Sequence, residues 1–146
     1  MNRRINHLAV WILVIVHQLV GFGWYTIFNN VWLNLHAKTM TDIDNPHEVT
    51  PYLVAIGASI VVNYALAGII ARFEASSAMC GLKIALLCWF AFLFVEHATI
   101  SAFSAFGTNP WPLVFLDMGR PLIAFAISGM VLGAWPKKAN DAGASA

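Results

Sequence analysis

Four apolar runs, at about residues 7–28, 51–71, 84–106 and 113–135, occupy most of this chain. A helix needs about 20 apolar residues to cross a hydrocarbon layer of ~30 Å, so each run is long enough to span a bilayer. In lipid, backbone N–H and C=O groups must be satisfied within the protein, and runs of this length achieve that as helices. The expected fold is an all-α membrane protein, a four-transmembrane-helix bundle running up-down-up-down. Within 146 residues the runs and their links leave no length for a second, soluble domain. Residues 1–138 read as one transmembrane domain and 139–146, small and polar, as a disordered tail.

Composition agrees with that reading. The chain is 60% hydrophobic and 10% charged, against roughly 25% charged residues in soluble domains. A net charge of +1 supplies no basic surface for nucleic acid, and the aromatic residues suit bilayer interfaces and helix packing. Cys80 and Cys88 fall about 12 Å apart along one helix, too far for a disulfide. The first run follows Arg3-Arg4 as a secretory signal would. It carries His17-Gln18 at its centre, however, and ends in Gly23-Trp24-Tyr25 without a small-residue cleavage site, so it reads as a retained span.

Arg3, Arg4, Arg72, Lys83, Lys137 and Lys138 gather on one side of the runs and Lys38 on the other. Basic loops stay in the cytoplasm, which places both termini there, and a bacterial inner membrane is the expected location. Thr50-Pro51 predicts an N-cap followed by proline at the first helical position; Pro112 predicts the same start for span four, and Pro136 with Lys137-Lys138 its stop. The short link at about 72–83 makes spans two and three antiparallel neighbours. Residues 31–40 predict a short helix lying on the outer surface.

Ionisable groups inside the spans carry the functional question, because an Asp or Arg at mid-membrane costs on the order of 2.5–3.5 kcal/mol and needs a partner. Asp117 and Arg120 are three apart on one helical face, which predicts an ion pair, and the adjacent Pro121 predicts a kink. Glu96 and His97 sit in span three about 100° apart around the axis. Glu96 shares a face with Trp89, Leu93, Thr99 and Phe103 and is expected to join Arg120 or to stay protonated and bond across the bundle. In span one His17 shares a face with Gly21, Trp24 and Phe28; Gln18 is its neighbour, and span two adds Ser59 and Asn63. Similar depth brings His17, Asn63 and Glu96 into one polar pocket bounded by all four helices.

His17, Asn63, Glu96, His97, Asp117 and Arg120 are therefore the candidate ligand or proton site. The plainer alternative is a set of satisfied interhelical hydrogen bonds. A bis-histidine haem through His17 and His97 is allowed by depth alone. With no nucleophile–base spacing, metal motif or cofactor fingerprint, the expectation is no enzyme, no metal and no cofactor. Gly129-x-x-x-Gly133 is a close-packing motif for the bundle or for a dimer, and Ala98-x-x-x-Ala102 is a weaker one. The link at 29–50 gathers His36, Asp42, Asp44, His47 and Glu48 and reads as a solvated loop.

Asn6-His7-Leu8-Ala9, Gly21-Phe22-Gly23-Trp24-Tyr25, Phe28, Trp32, Asp117-Met118-Gly119-Arg120 and Gly129-x-x-x-Gly133-Ala134-Trp135 together resemble the bacterial domain of unknown function 1761 family over nearly the whole chain. The resemblance implies a four-span inner-membrane protein and supplies no catalytic residue. Arg120 and Glu96 are where this chain departs from the family pattern.

Two functional readings follow. One is a non-enzymatic membrane protein that binds a small ligand, lipid or partner protein through a polar pocket in the outer half, as a homo-oligomer or beside a partner membrane protein. The other is a small proton-coupled transporter with Glu96 as the exchangeable site.

Overall fold

The computed structural model describes residues 4–43, 49–104 and 109–135. It contains four long helices, α1 (His7–Leu35), α3 (Thr50–Arg72), α4 (Ala78–Ser104) and α5 (Trp111–Ala134), with a single turn, α2 (Met40–Ile43), after α1. All four long helices are of the length and apolarity that cross a membrane, so the fold is an all-α four-helix bundle of the multi-pass membrane type. Large apolar side chains such as Phe22, Ile27, Tyr52 and Phe92 remain exposed. In lipid the outside of a bundle is as apolar as its inside, and the inside adds polar residues such as Asn63 and Ser128 and the small Gly129 to apolar ones such as Leu13 and Phe125.

Helix α5 is the hub: it packs against α4, α1 and α3, and α1 also packs against α3. Small residues set the tightest crossing. A Cβ on Gly129 would come within 2.5 Å of both the Ala85 methyl and the Gly81 carbonyl oxygen, and one on Gly81 would lie 2.9 Å from Gly133 Cα. The Gly129/Gly133 stripe is thus consumed inside the bundle, backbone against backbone, by Gly81 and Ala85 of α4. With α4 drawn onto α5, the expected neighbours α3 and α4 barely meet. An apolar groove of about 160 Å³, lined by Val62, Leu66, Ile69, Cys88, Leu93 and Phe125, separates them.

Helix ends depart from the hydropathy reading for local reasons. Instead of ending near residue 28, α1 runs to Leu35, so the surface helix expected at 31–40 is the last turn of α1 plus the separate turn α2. Lys38 N–H then bonds Leu33 O at 2.9 Å with Ala37 at φ 51°, a left-handed C-terminal stop. The end of α3 repeats the device, with Ala75 N–H on Ile70 O and Glu74 at φ 51°. At its start, the cap position of α3 falls to Val49 and Thr50 is already helical. Helix α4 begins at Ala78, ahead of the apolar run, because the Ser77 side chain caps the Cys80 amide. Helix α5 begins at Trp111 and continues through the buried Pro121. Asp44, His47, Glu48, Pro136, Lys137, Lys138 and the tail lie outside the described residues.

Inside α4, residues Trp89–Phe94 form a π-helical turn. Gly81, Ala85, Trp89, Leu93, His97 and Ser101 recur every four residues along the side that is buried or half-buried. A regular helix of 3.6 residues per turn would swing such a series by about 40° at each step and carry it off the bundle. The wider π turn absorbs part of that drift. Consequently His97 keeps facing inward and Glu96 does not.

Candidate functional site

Two polar clusters occupy the bundle. In the first, His17 Nε2 and Ser128 Oγ are 2.9 Å apart, Ser128 Oγ–H donates to Asn63 Oδ1 at 2.8 Å, and Asn63 Nδ2 donates to Ser59 O at 2.8 Å. Ser59 Oγ–H donates to Ile56 O and accepts from Gln18 Nε2 at 3.0 Å. The single hydroxyl proton of Ser128 is committed to Asn63, so His17 must donate through Nε2–H, which selects its tautomer. Asn63 and Ser128 are fully buried. The chain ties α1, α3 and α5 together with its donors matched to acceptors.

The second cluster surrounds Asp117, one helical end away. Trp32 Nε1–H donates to Asp117 Oδ1 at 3.2 Å, while His97 Nε2 and His36 Nε2 face Asp117 Oδ2 at 3.7 and 3.9 Å. His36 Nδ1–H donates to Trp32 O at 2.9 Å, so its Nε2 carries a proton only when the ring is cationic. The His36 ring also packs on Trp32, with Lys38 Nζ above the same indole. Trp32→Phe keeps that stacking and removes the one direct donor to the carboxylate among the described residues. With Asp117 partly exposed, a loss of about 1.5 kcal/mol is expected, read from chemical unfolding in mixed micelles.

The predicted Asp117–Arg120 ion pair is replaced by this arrangement. Both residues share a face, but the carboxylate turns to the indole and imidazoles of α1 and α4, and Arg120 is left without a carboxylate partner among the described residues. Arg120 lies along Gly21 of α1, where an added Cβ would be 3.7 Å from Nη1 and 3.8 Å from Cδ. The Trp24 ring lies against Gly119 in the same region. Arg120 Nε and Trp24 Nε1 are both buried without a hydrogen-bond partner.

Glu96 departs from its predicted place. It is exposed on α4 and joins neither Arg120 nor the His17–Asn63 chain, because the π turn presents His97 to the bundle instead. The single pocket bounded by all four helices is accordingly two clusters. Ser128, which gathers His17 and Asn63, and Asp117, which gathers His97, stand about 16 Å apart along α5. The same separation keeps His17 and His97 from flanking one haem. Among the described residues no group of three His, Cys, Asp or Glu side chains is placed to hold a metal ion.

Trp32 and His36 escape the sequence reading, although both continue the His17–Gly21–Trp24–Phe28 face by helical spacing. Ser128 is signalled only by its spacing from Asp117, Pro121 and Ala124 along the inner face of α5.

The motifs that carry the family resemblance meet in space: Gly21 and Trp24 of α1 dock on Arg120 and Gly119 of α5, and Trp32 bonds Asp117. The sequence model of one family, described as Protein of unknown function (DUF1761), matches residues 8–133. No curated protein and no solved structure matches the chain.

Proposed function

The chain belongs to the DUF1761 family of proteins of unknown function, and we propose that it is a non-enzymatic inner-membrane protein, both termini cytoplasmic, that binds a small carboxylate or phosphate anion at Arg120. The observation behind this reading is that Arg120 Nε, the one guanidinium nitrogen among four buried, unpartnered side-chain nitrogens (with Trp24 Nε1, Trp89 Nε1 and His97 Nε2) of the described residues, lacks an acceptor. A guanidinium held within a membrane span without a counter-charge is costly, and intramembrane cations ordinarily face a partner or a ligand. A carboxylate or phosphate oxygen supplies the missing acceptor and neutralises the charge in one contact, in the geometry arginine favours. Asp117, held by Trp32 between two histidines, then borders the site without competing for Arg120.

Exchange at Glu96 draws no support from this geometry, since its carboxyl lies outside both clusters.

The test is the melting midpoint of the purified full chain in detergent, measured with short monocarboxylates and with inorganic phosphate at constant ionic strength. A ligand at 100 times its Kd stabilises the folded state by about 2.7 kcal/mol, which gives a saturable rise in midpoint. Arg120→Gln is expected to abolish that rise. No rise with any of these anions, or an equal rise in Arg120→Gln, overturns the proposal.

A further inference from the structure

Glu96 is an exposed carboxyl in a membrane-spanning helix, with no hydrogen bond or ion pair to another described residue. It lies about 12 Å from the Ser104 end of a helix some 40 Å long, too deep for its short side chain to reach water beyond a ~30 Å hydrocarbon layer. A polar group at that depth facing acyl chains is strongly disfavoured, so something that hydrogen-bonds must cover it.

Its surroundings form a seam. Phe92, Glu96, Thr99 and Phe103 follow one another at four-, three- and four-residue steps, the spacing with which two helices interlock, and all four are exposed. The π turn sets this stripe apart by keeping Trp89, Leu93 and His97 on the inward face and leaving Glu96 outside. We infer that this seam pairs with the same seam of a second copy of the chain, about a two-fold axis along the membrane normal, with Glu96 against Glu96.

Three considerations favour a second copy as the occupant. Two copies inserted the same way up present each residue to its equivalent at equal depth, as a two-fold interface requires. The exposed cations among the described residues, Arg4, Lys38, Arg72 and Lys83, lie at helix ends or in the first turns, so the surface offers Glu96 no cation at its own level. A carboxyl is its own complement, one group donating its proton to the other. The Gly129/Gly133 stripe is unavailable for this contact, being buried against Gly81 and Ala85.

The test is oxidative cross-linking of the full chain in native membranes, with Cys80→Ser and Cys88→Ala as background. Thr99→Cys is expected to form disulfide dimers about tenfold more efficiently than Val61→Cys, which is equally lipid-facing but on α3. Adding Glu96→Lys should lower the Thr99→Cys dimer about tenfold, whereas Glu96→Gln, whose amide is also self-complementary, should hold it within about twofold. Because Glu96 makes no contact of its own inside the bundle, Glu96→Gln should leave the melting midpoint of the chain unchanged. The inference is overturned if Thr99→Cys cross-links no better than Val61→Cys, if its disulfide partner is a different protein, or if Glu96→Lys dimerises like the parent.

Discussion

Gly81→Val is expected to prevent stable assembly of the bundle, with a loss exceeding about 3 kcal/mol in mixed-micelle unfolding. Ordinary overpacking costs ~1–3 kcal/mol because neighbouring side chains shift to make room. At Gly81 the obstruction is backbone: the Gly129 carbonyl and the Gly133 Cα stand where the new side chain would go. Relief requires α4 and α5 to separate as rigid helices, which breaks the most extensive contact in the bundle. Without a hydrophobic force between helices in lipid, close approach is itself the source of attraction, so separation forfeits dispersion along the whole crossing. Gly129→Val meets the Ala85 methyl and the Gly81 carbonyl and should behave alike. Gly57→Val and Gly68→Val are the controls. A Cβ at either meets nothing within 4 Å, and each should stay within about 1 kcal/mol of the parent. Equal losses at Gly57 and Gly81 would refute the close-packed crossing.

The same crossing shows where sequence reasoning reaches and where it stops. Four helices and their order are legible because lipid allows few alternatives to a helix for a 20-residue apolar run. The Gly129-x-x-x-Gly133 motif announces close approach, yet its partner is Gly81, a lone glycine in a stretch that hydropathy assigns to a loop. The inward polar face of α1 is legible at His17, Gly21 and Trp24, since three-and-four spacing survives in a regular helix. Along α4 that rule fails at Trp89–Phe94, where one wide turn exchanges the roles of Glu96 and His97. Nothing in Trp-Phe-Ala-Phe-Leu-Phe marks a π turn locally; it follows from keeping residues at four-residue spacing on α5, which is a property of the packed pair. Asp117 and Arg120 fail as an ion pair for a related reason. Helical spacing allows their contact, but the carboxylate finds a better-placed donor in Trp32, which becomes available only because α1 continues past the apparent end of its apolar run.

Asn63→Leu and Ser128→Ala should each cost about 1–3 kcal/mol, and the double variant should cost less than their sum by about 1 kcal/mol. The reason lies in where the protons go. Asn63→Leu strands the Ser128 hydroxyl proton, whose acceptor is Asn63 Oδ1, and leaves Ser59 O without its side-chain donor. Ser128→Ala strands Asn63 Oδ1 and removes the acceptor of His17 Nε2–H. Both positions are fully buried, so no water replaces the lost partner. Combining the two deletes donor and acceptor together, and the remaining cost is chiefly the orphaned His17 Nε2–H. Adding His17→Phe to the double variant then removes that last donor and should recover further stability. In membrane proteins such bonds often contribute only ~0.6 kcal/mol, because a freed group finds another partner in the bundle. Here the core of the same bundle holds Leu13, Leu66 and Phe125, which offer no side-chain hydrogen-bonding atom. Strict additivity in unfolding free energy, or single losses below about 0.5 kcal/mol, would mean that the chain re-forms around each substitution and that the three helices are held at this level by packing instead.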